Sequence, residues 1–360
     1  MGAGVGACGS TAKVVGVSLL LLYVLVPAVL YLVPHIHVYI IFLHFVRWPL
    51  IDYSNPQQLG VRASSRNFYL DVDDGSVGVW QILPQKVVAH NDQEFDRALS
   101  EAKYPVIVYN HGNCWSRCAP HRTKLYNRLS ESGYHVIAFD YRGYGDSPGF
   151  PTEDGMIKDA ATVYKWALER AGSNPVVIWG HSLGTAISTA VVDDLCVRNE
   201  CPVAVILEAP FNNLKEAVQN HFLSAAFRWI PWMDSFLVEP PIAYGLRLNT
   251  DERIKRVACP VLIMHAKDDF IVPFHLGHKL HHEAKQAGVD VSFAEFDEHG
   301  HKYICNSPQL MTLVKDFIEE SIKKRETKLE SPLKMEAEIG GELEEEMKIE
   351  SLGEESKLIK

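Results

Sequence analysis

Along the chain, hydrophobic and polar positions define an apolar front, a long alternating middle and a polar end. Between Lys13 and Arg47 no Lys, Arg, Asp or Glu interrupts the sequence, and Val14 to Val33 is almost wholly apolar. A helix needs roughly 20 such residues to cross the hydrocarbon core, so a transmembrane segment is expected within 14–46, after a short N-terminal segment, 1–13. A cleaved signal peptide would call for a basic start, a shorter apolar stretch and small residues at the cleavage point. Those features are poor here. Beyond Pro34-His35-Ile36-His37, the apolar run Val38 to Val46 reads as an interfacial or re-entrant piece, with Tyr39, Trp48 and Tyr53 near a membrane surface. Residues 47–64 read as a linker.

From about residue 65 the period changes. Asn67 to Asp71 and Val77 to Leu83 flank Asp73-Asp74-Gly75, a turn signal between strand-like runs, which predicts an antiparallel hairpin at a sheet edge. Short β-branched runs then alternate with helix-length amphipathic segments. Pro105 to Tyr109 precedes His121 to Ser132, His135 to Asp140 precedes Met156 to Arg170, and Pro175 to Trp179 precedes Ser182 to Leu195. Val203 to Leu207, Val261 to His265 and Val291 to Phe296 continue the strands, and the last helix is expected over about Pro308 to Lys323. This alternation implies an α/β domain over 65–325, with a mainly parallel sheet covered by helices on both faces. The interval between Glu208 and Cys259 is too long for a simple crossover. It holds Phe222, Phe227, Trp229, Trp232 and Phe236, and an insertion of this kind suits a helical cap, here about 211–256. The competing reading is that these aromatics are ordinary core of two extra helices.

Charge adds two points. The net charge of -10 gives no basic face for a polyanion, which argues against a nucleic-acid partner. From Glu326 to Lys360 there are 11 Glu against 5 Lys, and such a segment cannot bury enough apolar area to offset its ordering entropy, so 326–360 is expected to be a solvated, disordered tail. Seven cysteines occur without a Cys-x-x-Cys pair, which fits neither a zinc site nor a disulfide framework. Cys114 with Cys118, and Cys196 with Cys201, are close enough in sequence to close small loops, and spacing alone does not decide between bonded and free. No Asn-x-Ser/Thr acceptor occurs, so glycosylation does not help to orient the domain.

The chemistry centres on Gly180-His181-Ser182-Leu183-Gly184. This Gly-x-Ser-x-Gly follows the strand Pro175 to Trp179 and opens a helix, which is the setting of a nucleophile elbow. A serine hydroxyl is a weak nucleophile at neutral pH, so the turn must present it to a base, while the helix N-terminus and the Leu183 amide favour negative charge nearby. A second oxyanion donor belongs on the loop after an earlier strand. Tyr109-Asn110-His111-Gly112-Asn113 occupies that place, with the amide of Asn113 as the donor and His111 as support for the loop. In chain order an acid and then a histidine should follow. Asp268 and Asp269 lie at the end of the strand Val261 to His265, and Asp269 is favoured for its spacing to Val272-Pro273, although on geometry alone the two are nearly even. Between the last strand and the last helix stand His299 and His301. His301 is preferred as base because it leads directly into the final helix. Lys267, Arg142 and His111 are considered as contacts for an anionic head group, each with a commoner structural explanation. The scheme requires no metal and no organic cofactor.

These residues resemble the monoacylglycerol and lysophosphatidylserine lipase branch of the α/β-hydrolase-domain proteins. The resemblance rests on Asn110 to Asn113, on Asp140-Tyr141-Arg142-Gly143-Tyr144-Gly145-Asp146-Ser147 with Gly149 and Pro151 to Gly155, and on Gly180 to Thr185. It continues through Glu208-Ala209-Pro210-Phe211 and His265 to Pro273, ends at His301-Lys302-Tyr303-Ile304, and covers roughly Ser65 to Ile322. It implies an integral membrane lipase that hydrolyses a single-chain acyl ester, with Ser182, Asp269 and His301 as its triad and a lipid as its substrate. It also implies a single span in the endoplasmic reticulum membrane with a lumenal catalytic domain. The rival enzyme is a protein depalmitoylase, and the rival of another class is a noncatalytic membrane scaffold of the same fold.

Overall fold

The computed structural model of the 360-residue chain describes residues 4–45, 51–101 and 104–328. Arg47, Trp48 and the acidic tail from 329 onward lie outside the described residues. Two units are present, Met1–Leu313 and Val314–Lys360. Within the second, 314–328 is helical.

The apolar front is a helical run made of α1 (Gly4–Leu20), a π-helical turn Leu21–Leu25 and α2 (Val26–Leu32). Its stretch Lys13–Leu32, 20 residues, is long and apolar enough to cross a membrane. The π turn ends two residues before Pro27, whose ring would clash with a carbonyl four residues back in a regular α-helix. The next helix, α3 (Ile36–Phe42), departs in part from expectation. One face of it belongs to the core: Val38 is 5% and Phe42 0% exposed within the main hydrophobic cluster, while Tyr39 and Ile40, at 40% and 47%, remain exposed. Leu43 ends it in the left-handed region, at φ 44°. Tyr53 is no surface anchor: it is buried, with the Arg117 guanidinium 4.5 Å from its ring centroid. The described part of the expected linker is packed too, with Pro56, Val61 and Ala63 buried. Hydropathy cannot tell a membrane-facing residue from a core-facing one when both are simply apolar.

The sheet begins with a hairpin, β1 (Ser65–Val72) antiparallel to β2 (Gly75–Ile82), turning at Asp73-Asp74 as predicted. Ahead of the next strand lies α4 (Asp92–Ser100), capped by the Asn91 side chain and not anticipated from the sequence. Then follow β3 (Val106–Asn110), α5 (Pro120–Glu131), β4 (His135–Phe139), α6 (Glu153–Arg170), β5 (Val176–His181), α7 (Leu183–Val197) and β6 (Ala204–Glu208). The insertion forms α8 (Leu214–Asn220), a 3-10 turn Phe222–Phe227, α9 (Met233–Leu237), α10 (Glu239–Ala243) and α11 (Thr250–Arg253). Last come β7 (Val261–Ala266), α12 (Phe274–Gln286) and β8 (Val291–Phe296). The strand order is β1-β2-β4-β3-β5-β6-β7-β8, antiparallel through β1, β2 and β4 and parallel from β4 to β8. Every residue of β3 to β7 is buried. This is why their sequences are continuous apolar runs rather than alternating ones.

The aromatics of the insertion divide between the two readings. Phe227 and Phe236 are buried with Ile230, Met233 and Leu30 of α2, whereas Phe222, Trp229 and Trp232 are 48%, 66% and 65% exposed. The apolar front helix packs on this insertion, with the rings of Tyr23 and Trp229 5.2 Å apart. His37 Nε2 donates to Phe236 O at 2.8 Å. Of the two cysteine pairs left open, Cys196–Cys201 is bonded, and Cys114 and Cys118 are free.

Candidate active site

Four loops at the carboxyl ends of the parallel strands converge, which is where open α/β sheets form their crevices. After β5, Ser182 sits at φ 52°, ψ −118°, in a strained turn that α7 follows at once. The flanking glycines are steric requirements. A Cβ on Gly180 would stand 2.4 Å from Gly184 O, and one on Gly184 would stand 2.0 Å from Asn110 O. A side chain at either place would push the elbow off the sheet.

Ser182, His301 and Asp269 form one hydrogen-bonded line. His301 Nδ1 lies 2.7 Å from Asp269 Oδ2, and Nε2 lies 2.9 Å from Ser182 Oγ. The carboxylate only accepts, so Nδ1 carries the proton and Nε2 offers a lone pair to the serine hydroxyl. Asp269 Oδ1 accepts the amides of Ile271 and Val272, each at 2.9 Å. His265 Nε2 donates to Val272 O at 2.9 Å and stands 3.3 Å from Asp269 Oδ2. Burial by itself would raise the Asp269 carboxyl, but hydrogen bonds from His265 and His301 outweigh it and hold the group well below the usual carboxylate range. All three residues are nearly enclosed, at 8%, 5% and 8% exposure for Ser182, Asp269 and His301.

Asp268 has a different task. Its Oδ1 accepts the amides of His299 and Gly300, at 3.0 and 2.8 Å, so it braces the loop that delivers His301. The ring of His299 stacks on Phe296, 6.0 Å between centroids, away from this line. The backbone of His301 is fixed from below by His181, whose Nε2 donates to His301 O at 2.8 Å. Burial, and then the neighbouring His301, keep the His181 imidazole neutral, with its pKa well below the ordinary value.

The loop after β3 lies against the elbow. A Cβ on Gly112 would meet Ser182 Cβ at 3.1 Å, so only glycine permits this approach. The Leu183 amide belongs to the first turn of α7 and has no partner inside the helix. The Asn113 amide next to Gly112 donates to no described backbone group. His111 is buried between Tyr141 and Tyr144 and supports the loop by donating from Nδ1 to Gly112 O at 2.8 Å. The Asn113 side chain is held by α3: its Nδ2 donates to Ile41 O, and its Oδ1 lies 3.3 Å from the Tyr144 hydroxyl. That hydroxyl donates its proton to Phe42 O at 2.6 Å. Helix α3 is thus part of the wall behind the Asn113 loop.

The insertion reaches the crevice where Phe222 meets Phe270, the residue after Asp269, at 5.9 Å between ring centroids. The three groups considered for a head group are all engaged or enclosed. Arg142 pairs with Asp159 at 2.6 Å, Lys267 with Glu295 and Asp297 at 3.1 and 3.3 Å, and His111 is fully buried. Glu208, at the end of β6, accepts from Trp179 Nε1 at 3.0 Å, and burial pushes its carboxyl up to about 7. Ser182, Asp269, His301, Asn113 and Leu183, expected from the sequence, lie around one point. His181, His265, Tyr144 and Arg122 have no role that the sequence foretells, because their partners are carbonyls, a carboxylate and rings distant in sequence or set by the fold.

Comparison with known proteins identifies the fold and the family. A family model described as alpha/beta hydrolase fold matches residues 105–225, and one for the dienelactone hydrolase family matches residues 241–331. The chain is 42% identical over 314 residues to the lysophosphatidylserine lipase ABHD12 of Xenopus tropicalis, covering 84% of this chain and 81% of the relative. To protein ABHD12B of Homo sapiens it is 37% identical over 290 residues, covering 78% and 79%. Among solved structures, an alpha-beta hydrolase from Vibrio vulnificus superposes with a TM-score of 0.60 at 18% identity, covering 81% of this chain and 93% of that one. An esterase of Pyrococcus furiosus does so with a TM-score of 0.56 at 16% identity, covering 76% and 96%. These two likenesses concern the fold alone.

Proposed function

Because this chain belongs to the α/β-hydrolase family, in the group that holds the lysophosphatidylserine lipases ABHD12, we propose that it is a membrane-anchored serine lipase cleaving the acyl ester of lysophosphatidylserine, other lysophospholipids or monoacylglycerol. The observation that carries the reading is the line from Ser182 Oγ through His301 to Asp269, at 2.9 and 2.7 Å. Ser182 Oγ attacks the acyl carbonyl carbon as His301 Nε2 takes its proton, while Asp269 stabilises the imidazolium that forms. The carbonyl oxygen becomes an oxyanion between the amides of Leu183 and Asn113. Collapse breaks the ester bond, and the departing alcohol takes the proton from His301. Water, deprotonated by the same imidazole, then attacks the acyl-serine and releases the fatty acid.

A lipid substrate is supported by the relatives' activity and by the apolar helix Lys13–Leu32 packed against the insertion above the crevice. A single acyl chain can pass from a bilayer to this site without crossing water, and the insertion's aromatics would shelter it. The Cys196–Cys201 bond supports an oxidising compartment, in keeping with a single-pass protein of the endoplasmic reticulum whose catalytic domain is lumenal.

The test compares membranes carrying wild type or Ser182→Ala on a panel of lysolipids and monoacylglycerols, reading the fatty acid released, alongside labelling by a fluorophosphonate probe. Wild type should be labelled and release fatty acid, and S182A should do neither. Hydrolysis of soluble short esters with no activity on any lipid of the panel would overturn the lipase reading. Protease protection of the domain in intact microsomes tests the lumenal orientation, and digestion there would shift the balance to a depalmitoylase.

A further inference from the structure

The oxyanion site has a buried guanidinium behind it. Arg122, in the first turn of α5, is 1% exposed, and among the described residues no carboxylate pairs with it. It binds backbone carbonyls instead. Nη1 donates to Ser116 O at 2.7 Å, and Nη2 donates to Gly112 O at 2.8 Å and Cys114 O at 3.0 Å. Burying a cation without a counter-ion is costly, so its placement needs a reason. Gly112 C=O and Asn113 N–H belong to one peptide group. Arg122 therefore grips the far end of the peptide whose near end faces the reacting oxygen.

The other oxyanion peptide is built the same way. Ser182 C=O and Leu183 N–H form one group, and Ser182 O accepts from Thr185 N at 2.9 Å and from Thr185 Oγ1 at 2.6 Å. Gly112 O also has two donors, since His111 Nδ1 joins Arg122 at 2.8 Å. A hydroxyl bonded to a carbonyl three residues back is ordinary at a helix start. Here it falls on the peptide that serves the nucleophile, and its counterpart across the site carries a full positive charge. Hydrogen bonds along a chain of dipoles polarise one another, charged donors most of all. A peptide whose carbonyl is doubly engaged presents a more positive N–H and cannot rotate away from the oxyanion.

We propose that Arg122 and Thr185 are positioning residues of the oxyanion hole, each fixing and polarising one donor peptide from its carbonyl side. The inference rests on the reading of Asn113 and Leu183 as oxyanion donors. Arg122 adds an uncompensated charge that favours the tetrahedral anion over the neutral ester, so its effect belongs to the transition state rather than to substrate binding.

The test uses full-length protein in detergent micelles and p-nitrophenyl butyrate. The variants are Thr185→Val, Thr185→Ser, Arg122→Gln and Ser182→Ala, with the final extent of fluorophosphonate labelling counting folded sites. Removing a whole oxyanion donor lowers kcat by about 10²–10³. Weakening one should cost T185V about 3- to 10-fold and R122Q about 10- to 100-fold in kcat per labelled site, with KM within about twofold. T185S should restore the wild-type rate. If R122Q does not accumulate as folded protein, the contrast between T185V and T185S decides. Wild-type kcat in T185V, or a raised KM with kcat unchanged, would overturn the inference. Tight inhibition of wild type by a trifluoromethyl ketone, which places an oxyanion at the site, checks the premise separately. Weak inhibition, or activity persisting in S182A, would bring down the site reading and this inference with it.

Discussion

Asp269→Asn is the substitution that bears most directly on the two adjacent carboxylates. Asp269 Oδ1 accepts the amides of Ile271 and Val272, and Oδ2 accepts His301 Nδ1–H. In the variant the two amides still require an oxygen, so the side-chain NH2 must face His301. Two N–H groups cannot point at each other, and the imidazole proton moves to Nε2. There, 2.9 Å from Ser182 Oγ, the nitrogen becomes a donor and has no lone pair with which to take the serine proton. A wrong tautomer in a serine triad costs about 10⁴ in kcat, or about 5.4 kcal/mol at 1.36 kcal/mol per tenfold. Asp268→Asn should behave otherwise, because an amide oxygen can keep both bonds from His299 and Gly300. It should lose about 1 kcal/mol of stability, as neutral bonds replace charge-assisted ones, with little change in kcat. The assay is kcat on a soluble ester for full-length variants whose melting curves show a folded domain, with S182A as background. D269N retaining more than about a hundredth of wild-type kcat, or D268N falling as far as D269N, would refute the assignment.

Two other changes test the surroundings. Phe42→Ala empties a fully buried site in the main core and should cost about 3–5 kcal/mol, a fall in Tm on the order of 10 °C; an unchanged melt would mean that α3 does not dock there. Glu208→Gln tests a pH dependence. Below the ordinary value of 4.5 the carboxyl is protonated both folded and unfolded, but as pH rises towards about 7 only the unfolded chain ionises, so wild-type stability falls across that window. The loss is about 3 kcal/mol at 1.36 kcal/mol per pKa unit. E208Q should therefore gain on wild type between pH 4.5 and about 7 in denaturation curves, and parallel curves at every pH would refute it.

The sheet was legible because its central strands are buried on both sides. Val106 to Asn110 and Val176 to His181 have no polar face to confuse the period. The hairpin was legible from Asp73-Asp74-Gly75 for the converse reason, a turn between runs that pair in register from Ser65↔Ile82 to Val72↔Gly75. The elbow could be read from glycine spacing, since two close backbone approaches leave no alternative residue. What stayed hidden depends on contacts distant in sequence. Nothing around Phe42 says that its carbonyl meets Tyr144, 102 residues on, and nothing around Arg122 says that it is buried with carbonyls for partners. The choice between Asp268 and Asp269 turns on which of two adjacent carboxylates faces a histidine 32 residues later. Spacing in one strand end cannot supply that.

The docking of α3 also bears on how such an enzyme would search for substrate. Only Val33 to His35 separate α2 from α3, and α3 is fastened by its carbonyls to Asn113 and Tyr144 and by Phe42 to the core. There is no leash between anchor and crevice. With Lys13–Leu32 in a bilayer, the serine would keep one height and one tilt, and the only search left to the protein would be lateral diffusion in two dimensions. Encounter rates would then scale with the surface density of the lipid rather than with its concentration in solution. Diluting the substrate into inert membrane should slow turnover even when the total amount in the tube is unchanged.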